Sequence, residues 1–172
     1  MKILMIAPEP VFEPRGTPLS VVGRLKALSD MGHHVDLVTY PIGQNVSFPG
    51  VRFFRAPAVP GINRIKIGPS IAKIPLDLSL LMASIRQLFR ERYDLIHTHE
   101  EAGFWGAILA RFWNLPHVYD MHSSLPQQMT NFKFTQSGAI IRFFESLERW
   151  VIRHADAVIT ISPDLDNHVR AS

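Results

Sequence analysis

The sequence predicts an α/β domain built on a doubly wound, Rossmann-like parallel sheet with helices on both faces, and three observations support this. Short strand-like runs alternate with amphipathic helical segments along the whole chain, the order that builds parallel βαβ units. The strand runs that begin at Lys2, His34 and Ala157 are apolar almost throughout, as strands covered on both faces must be. The polar residues with chemical character fall just past strand ends, where an open parallel sheet binds its ligands.

The elements follow in order. Lys2 to Ala7 reads as the first strand. After a loop rich in Pro and Glu, Thr17 and Pro18 open a helix, Thr as a good N-cap and Pro at a position where its missing N–H costs nothing. Val21, Val22, Leu25, Leu28 and Met31 recur at helical spacing, and Gly32 supplies the stop. His34 to Tyr40 and Val51 to Arg55 are the next strands, and the punctuation from Pro57 to Pro75 marks an irregular stretch. Asp77 to Arg92 reads as a helix with Leu78, Leu81, Met82, Ile85 and Leu88 on its packed side.

Leu95 to Thr98 is the fourth strand, and Ala102 to Trp113 a helix with Trp105, Ile108, Leu109 and Phe112 as its stripe. His117 to Met121 is the fifth strand, and His122 to Gly138 a long polar loop. Ile140 to Arg153 is a helix with Phe144, Leu147 and Val151 inward, Ala157 to Ile161 the sixth strand, and Ser162-Pro163-Asp164 the cap of one more helix. The chain stops barely into that helix, at Ser172, so the expectation is a single domain over 1–172 cut from a longer protein.

Composition narrows the function classes. Hydrophobic residues make up 47% and charged residues 19% of the 172, a globular balance. With no cysteine there is no disulfide framework, thiolate metal centre or thiol nucleophile, which suits a reducing, cytoplasmic location. The run Ile3 to Ala7 is too short for a secretory signal, and Ile74 to Ile85, broken by Pro75 and Asp77, is too short to span a bilayer. The formal charge is +3, but the basic residues are scattered and lack interleaved aromatics, so no nucleic-acid partner is expected. Arg64, Lys66 and Lys73 precede the apolar run Ile74, Leu76, Leu78, Leu80, Leu81 and Met82. Basic residues beside an apolar helix can hold a protein peripherally on the inner face of a membrane, although the same leucines can simply pack on the sheet.

Four segments should share the carboxyl edge of the sheet. Gly16-Thr17 offers close backbone approach and the unpaired N–H groups of a helix start, a welcoming place for a diphosphate. The G-x-G-x-x-G fingerprint and the P-loop lysine pattern are both absent, which argues against a nicotinamide dehydrogenase and a P-loop NTPase. His97 and His99 lie on one face of their strand and are followed by Glu100. Their spacing is not specific to a metal, so a polar ligand site is preferred and no metal is assigned. Asp120-Met121-His122-Ser123-Ser124 places a histidine and hydroxyls just past a strand end, suited to a sugar hydroxyl or a phosphate, with Asp120 able to orient the ring. No serine sits in a G-x-S-x-G elbow.

These segments resemble family 4 glycosyltransferases. The resemblance is carried by Lys2 to Pro8, Gly16-Thr17, Gly32-His33-His34-Val35-Asp36-Leu37-Val38-Thr39, Tyr93 to His99, His117 to His122, and Ala155 to Ser162. The motifs come in the family's order and spacing over nearly the whole chain. The resemblance implies a GT-B architecture of two Rossmann-like halves. It implies sugar transfer from a nucleotide diphosphate sugar with retention, the donor being a substrate and no cofactor or metal being needed. This chain would be the N-terminal, acceptor-side half. Catalysis would fall on His122, donor phosphate and sugar contacts on Gly16 and Thr17, and acceptor contacts on His99, Glu100, Asp120 and Ser123. Many members carry two adjacent glycines where this chain has Arg15-Gly16-Thr17. The family's phosphate-binding Arg and Lys belong to the C-terminal half, which would be the partner domain. A lone half-cleft cannot exclude water, so it should be silent, with a lipid-linked or polysaccharide-precursor acceptor and a cell-envelope role as the expectation for the whole enzyme. Two alternatives remain open: half of a UDP-sugar 2-epimerase, and a non-catalytic α/β binding or scaffold domain.

Overall fold

Alternating apolar side chains decide how the strands are used. In strand β1 (Lys2–Ala7), Ile3 and Met5 point to one face and Leu4 and Ile6 to the other, and all four are buried. The computed structural model describes residues 1–13, 16–44, 46–62, 65, 70–71, 73–131 and 137–172. Pro14 and Arg15 of the first loop, and Arg64 and Lys66 of the basic segment, lie outside the described residues.

The remaining strands are β2 (His34–Thr39), β3 (Val51–Arg55), β4 (Leu95–His99), β5 (His117–Met121) and β6 (Ala157–Thr160). They pair in the order β3-β2-β1-β4-β5-β6, parallel throughout. This is the doubly wound order, and the direction of winding reverses between β1 and β4. The register sets Met5 beside His97, Ile6 beside Thr98, and His99 beside Asp120. The polar ends of β4 and β5 therefore lie at one level.

Helices cover both faces. On one, Val21 and Leu25 of α1 (Gly16–Asp30) pack with Ile3, Met5, Val35 and Leu37. On the other, Leu76, Leu80 and Leu88 of α2 (Lys73–Arg90) and Leu109 and Ala110 of α3 (Ala102–Trp113) pack with Leu4, Ile6, Val38 and Ile96. Val151 and Ile152 of α5 (Gly138–His154) close over Tyr119 and Met121. Burying a side chain of this size contributes about 1.5–3 kcal/mol. Emptying one fully enclosed position, such as Leu25→Ala, costs about 2–5 kcal/mol.

Three local expectations are corrected. Helix α2 begins at Lys73, a turn before Asp77, because Pro75 falls in its first turn, where a missing N–H breaks no helical bond. Its buried side is Leu76, Leu80, Ser84, Gln87 and Leu88, while Leu78 and Met82 are about 60% exposed. In α3 the sheet-facing side is Gly103, Gly106, Ala107 and Ala110, with Ile108 and Phe112 outward. A methyl added at Gly106 would stand 2.3 Å from the Thr98 methyl, so only a residue without a side chain lets the helix approach so closely. Finally, the polar loop after β5 contains a short helix, α4 (Leu125–Asn131), and the last helix is α6 (Pro163–Arg170), capped by Ser162 accepting from the Leu165 N–H.

Candidate functional site

Parallel strands end together, so β1, β4 and β5 deliver their following loops to one edge. There Thr17 Oγ1 donates to Glu100 Oε1 at 3.3 Å, and Ser123 Oγ donates to Glu100 Oε2 at 2.9 Å. Glu100 thus joins the first helix start to the loop after β5. Its own backbone is in the left-handed region (φ 47°), a conformation a non-glycine residue holds only where its surroundings fix it. Burial, then the neighbouring Glu101, pushes its carboxyl up to about 8, against the pull of the Ser123 bond, so it is largely protonated at neutral pH.

Beneath this layer Asp120, with no exposed surface, is ringed by Arg24 and three histidines. Arg24 Nε approaches Oδ2 at 2.7 Å, His97 Nε2 approaches the same oxygen at 3.4 Å, and His122 Nε2 lies 3.2 Å from Oδ1. Nδ1 of His99 stands 3.8 Å away. Burial alone would raise the Asp120 pKa. The His97 hydrogen bond, His99, Arg24 and His122 outweigh it and hold the carboxyl well below the usual range, so Asp120 is an anion.

An anionic carboxylate only accepts, so the two ring nitrogens nearest it, Nε2 of His97 and Nε2 of His122, carry hydrogen. With its hydrogen on Nε2, beside the Asp120 anion, His122 donates to His99 Nδ1, which lies 3.1 Å away. That leaves His122 Nδ1 as the ring's acceptor. Burial is the main reason the pKa of His122 lies below 6.5, with Asp120 opposing. His99, which has no exposed surface, is pushed lower still by burial and by His97. The rings of His97, His99 and His122 stack in sequence, with centroids 4.9 and 5.4 Å apart.

His97, His99 and Asp120 bring ligand-type atoms within 4.8 Å of one another. Arg24 already supplies the cation that this carboxylate needs, and a dication would leave two positive charges on one buried anion. The cluster is therefore better suited to orienting His122 than to ligating an ion.

The expected site residues come together, at different depths. Gly16 and Thr17 begin α1 at this edge, and Glu100, Ser123 and His122 line its next layer. His99 and Asp120 lie below the surface, against His122. Sequence reasoning missed Arg24, though it shares the Thr17, Val21 and Leu28 side of α1 and so faces inward. It also missed a second polar group at this edge. Tyr40 donates to Asp77, and Lys73 pairs with Glu101 at 2.9 Å. Burial and Glu101 raise the Asp77 carboxyl to about 7, opposed by the Tyr40 bond and Lys73.

A doubly wound sheet whose polar residues crowd the carboxyl edge on either side of its switch point has the form in which open α/β domains bind their ligands. The chain belongs to the glycosyl transferase 4-like domain family, whose model matches residues 16–172. Its fold is that of one half of the GT-B glycosyltransferases. The sucrose-phosphate synthase of Thermosynechococcus elongatus superposes over 99% of this chain and 44% of its own, with a TM-score of 0.73 and 22% identity. A UDP-glucose:anthocyanidin 3-O-glucosyltransferase solved with UDP covers 98% of this chain and 50% of its own, with a TM-score of 0.61 and 14% identity. MurG of Acinetobacter baumannii covers 94% and 41%, with a TM-score of 0.53 and 15% identity. The chain thus spans half or less of each of these proteins. A comparison with curated protein sequences returns no match. Among the described residues, no helix is long and apolar enough to cross a membrane.

Proposed function

We propose that this domain is the acceptor-side half of a retaining glycosyltransferase that takes a sugar from a nucleotide diphosphate donor. Its own C-terminal domain would grip the nucleotide. The observation that carries the reading is the neutral His122, held by Asp120 at 3.2 Å with Nδ1 left as an acceptor at the carboxyl edge. Sugar transfer passes through an oxocarbenium-like state, and fixed polar groups in a closed cleft supply most of its stabilisation. His122 Nδ1 takes a hydroxyl hydrogen of the transferred sugar. The first-turn N–H groups of α1 at Gly16 and Thr17 face the departing diphosphate. Glu100 and Ser123 meet the acceptor, while His99 and Asp120 hold the His122 ring from below. No metal or cofactor takes part in this scheme.

The outward side of α2 supports a peripheral membrane position for the whole enzyme and, with it, a lipid-linked acceptor of the cell envelope. Ile74, Leu78 and Met82 form an exposed apolar row, and Arg86, Phe89 and Arg90 continue it, also exposed. Lys73 takes no part in that row, since Glu101 holds it inward. A helix of this kind lies in the interface plane, each nearby cation contributing about 1 kcal/mol on an anionic surface.

The test is transfer by the full-length protein from a panel of nucleotide diphosphate sugars, with product stereochemistry read by NMR. Retention at the anomeric carbon is the expected result. Inversion, or C2 epimerisation of the donor without transfer, overturns the reading.

A further inference from the structure

Two buried carboxylates stand outside the site: Asp36, held by Arg52 and Tyr93 at the far side of the sheet, and Glu148. Glu148 is only 3% exposed, on α5, an element with no assigned part in the chemistry. Its Oε1 accepts from Ser124 Oγ at 3.0 Å and from His168 Nε2 at 2.8 Å, and its Oε2 accepts from the Leu125 N–H at 3.1 Å. Those partners belong to two separate places: the turn from Ser124 into α4, and α6.

A buried anion without donors is costly, so a carboxylate in this position persists only because all three partners are fixed. The converse also holds. The segment His122-Ser123-Ser124-Leu125 leaves β5 with no sheet pairing of its own, and two of its four residues end on Glu148. The Leu125 N–H is one of the unpaired donors that every helix start leaves, and a carboxylate there also meets the positive end of α4. Across the same turn, a cavity of about 270 Å³ is lined by His122, Ser123 and Gln128 on one side and by Ser162, Asp164 and His168 on the other. The carboxylate that anchors the turn therefore also ties down the far wall of this cavity, through His168.

We propose that Glu148 is a positioning residue: it fixes the His122–Ser123 turn against α6 and so sets where the His122 ring stands. This rests on the functional reading of His122 given above. An amide cannot replace the carboxylate here. Gln offers one acceptor oxygen to three donors and turns an NH₂ toward at least one of them. Glu148→Gln keeps the shape and fold-compatible volume yet releases part of the turn.

Two measurements on the full-length protein decide it. The first is the NMR signal of the His122 ring, assigned by its loss in His122→Ala. Glu148→Gln should shift it, and Ser124→Ala, which removes one of the three bonds, should shift it less. An unmoved signal in Glu148→Gln overturns the proposal whatever the activity. The second is a double-mutant comparison of kcat. Glu148→Gln should lower kcat about 10-fold or more with donor KM nearly unchanged, and should cost little further in the His122→Ala background. Equal fold-losses in both backgrounds show a merely structural role and overturn the proposal. If His122→Ala itself turns over normally, the functional reading of His122 fails, and the ring signal alone then decides whether Glu148 positions the turn.

Discussion

Arg24 and Asp120 are 96 residues apart in the chain and meet at 2.7 Å beneath the carboxyl edge of the sheet. Asp120 is buried completely, whereas the Arg24 side chain is about one-third exposed. The pair is therefore asymmetric: the carboxylate depends on the guanidinium more than the reverse. Arg24→Gln should destabilise the domain by about 1–3 kcal/mol, the cost of leaving a charged acceptor short of a donor. Adding Asp120→Asn should recover part of that loss, which denaturant midpoints of the two variants would show. A double variant as unstable as the sum of both single changes contradicts the coupling.

Glu100 makes a prediction about pH. Its folded pKa, about 8, lies above the ordinary 4.5, so between those values the folded state holds more protons than the unfolded. The stability this group contributes is present below about 4.5 and is lost as pH rises toward about 8. Glu100→Gln cannot titrate. Melting temperature should therefore fall relative to Glu100→Gln as pH rises across that window, and a flat difference counts against the protonated carboxyl.

The closeness of α3 to the sheet predicts that Gly106→Ala is destabilising. The added methyl stands 2.3 Å from the buried Thr98 methyl and 3.2 Å from His117 Nε2, which pairs with Thr98 Oγ1 at 2.7 Å. Overpacking of this kind costs about 1–3 kcal/mol, which exceeds the gain of about 1 kcal/mol from alanine's helix propensity. Thermal melts should show a lower midpoint, and an unchanged or raised one would mean that the helix can back away.

For the α2 surface, Leu78→Ser with Met82→Ser should leave the fold intact, since both side chains are exposed, and should weaken co-sedimentation of the full-length protein with anionic vesicles. Equal binding to neutral and anionic vesicles, or none to either at low salt, removes membrane docking from the account.

Strands were the legible part of this sequence, because residues such as Leu4, Ile6, Val35 and Leu37 are apolar on both faces and only a doubly covered sheet can use them. Helix faces were read less well, and for one reason. Hydrophobic size marks Ile108 and Phe112 in α3 and Leu78 and Met82 in α2, whereas close packing on a sheet selects Gly106, Ala107, Leu76 and Leu80. The site's outer members, His122, Glu100 and Ser123, were visible because polar residues past strand ends have few structural duties. Its supports were not. Arg24 and Glu148 each sit on the inward stripe of a helix, yet a charged residue in a helix reads as solvated until its partner, distant in sequence, is known. Helix α4 escaped notice because Met129 is its one strongly apolar buried residue, too little for a periodic signal.

In the proposed function a neutral His122, beside Asp120 at 3.2 Å, acts on the sugar being transferred. Steady-state kinetics of His122→Ala in the full-length enzyme, with the unfolding midpoint measured alongside, test it most directly. The expected result is a fall in kcat of about 100-fold or more, with donor KM within a few-fold and the midpoint nearly unchanged. Turnover within a few-fold of the unmodified enzyme would contradict it.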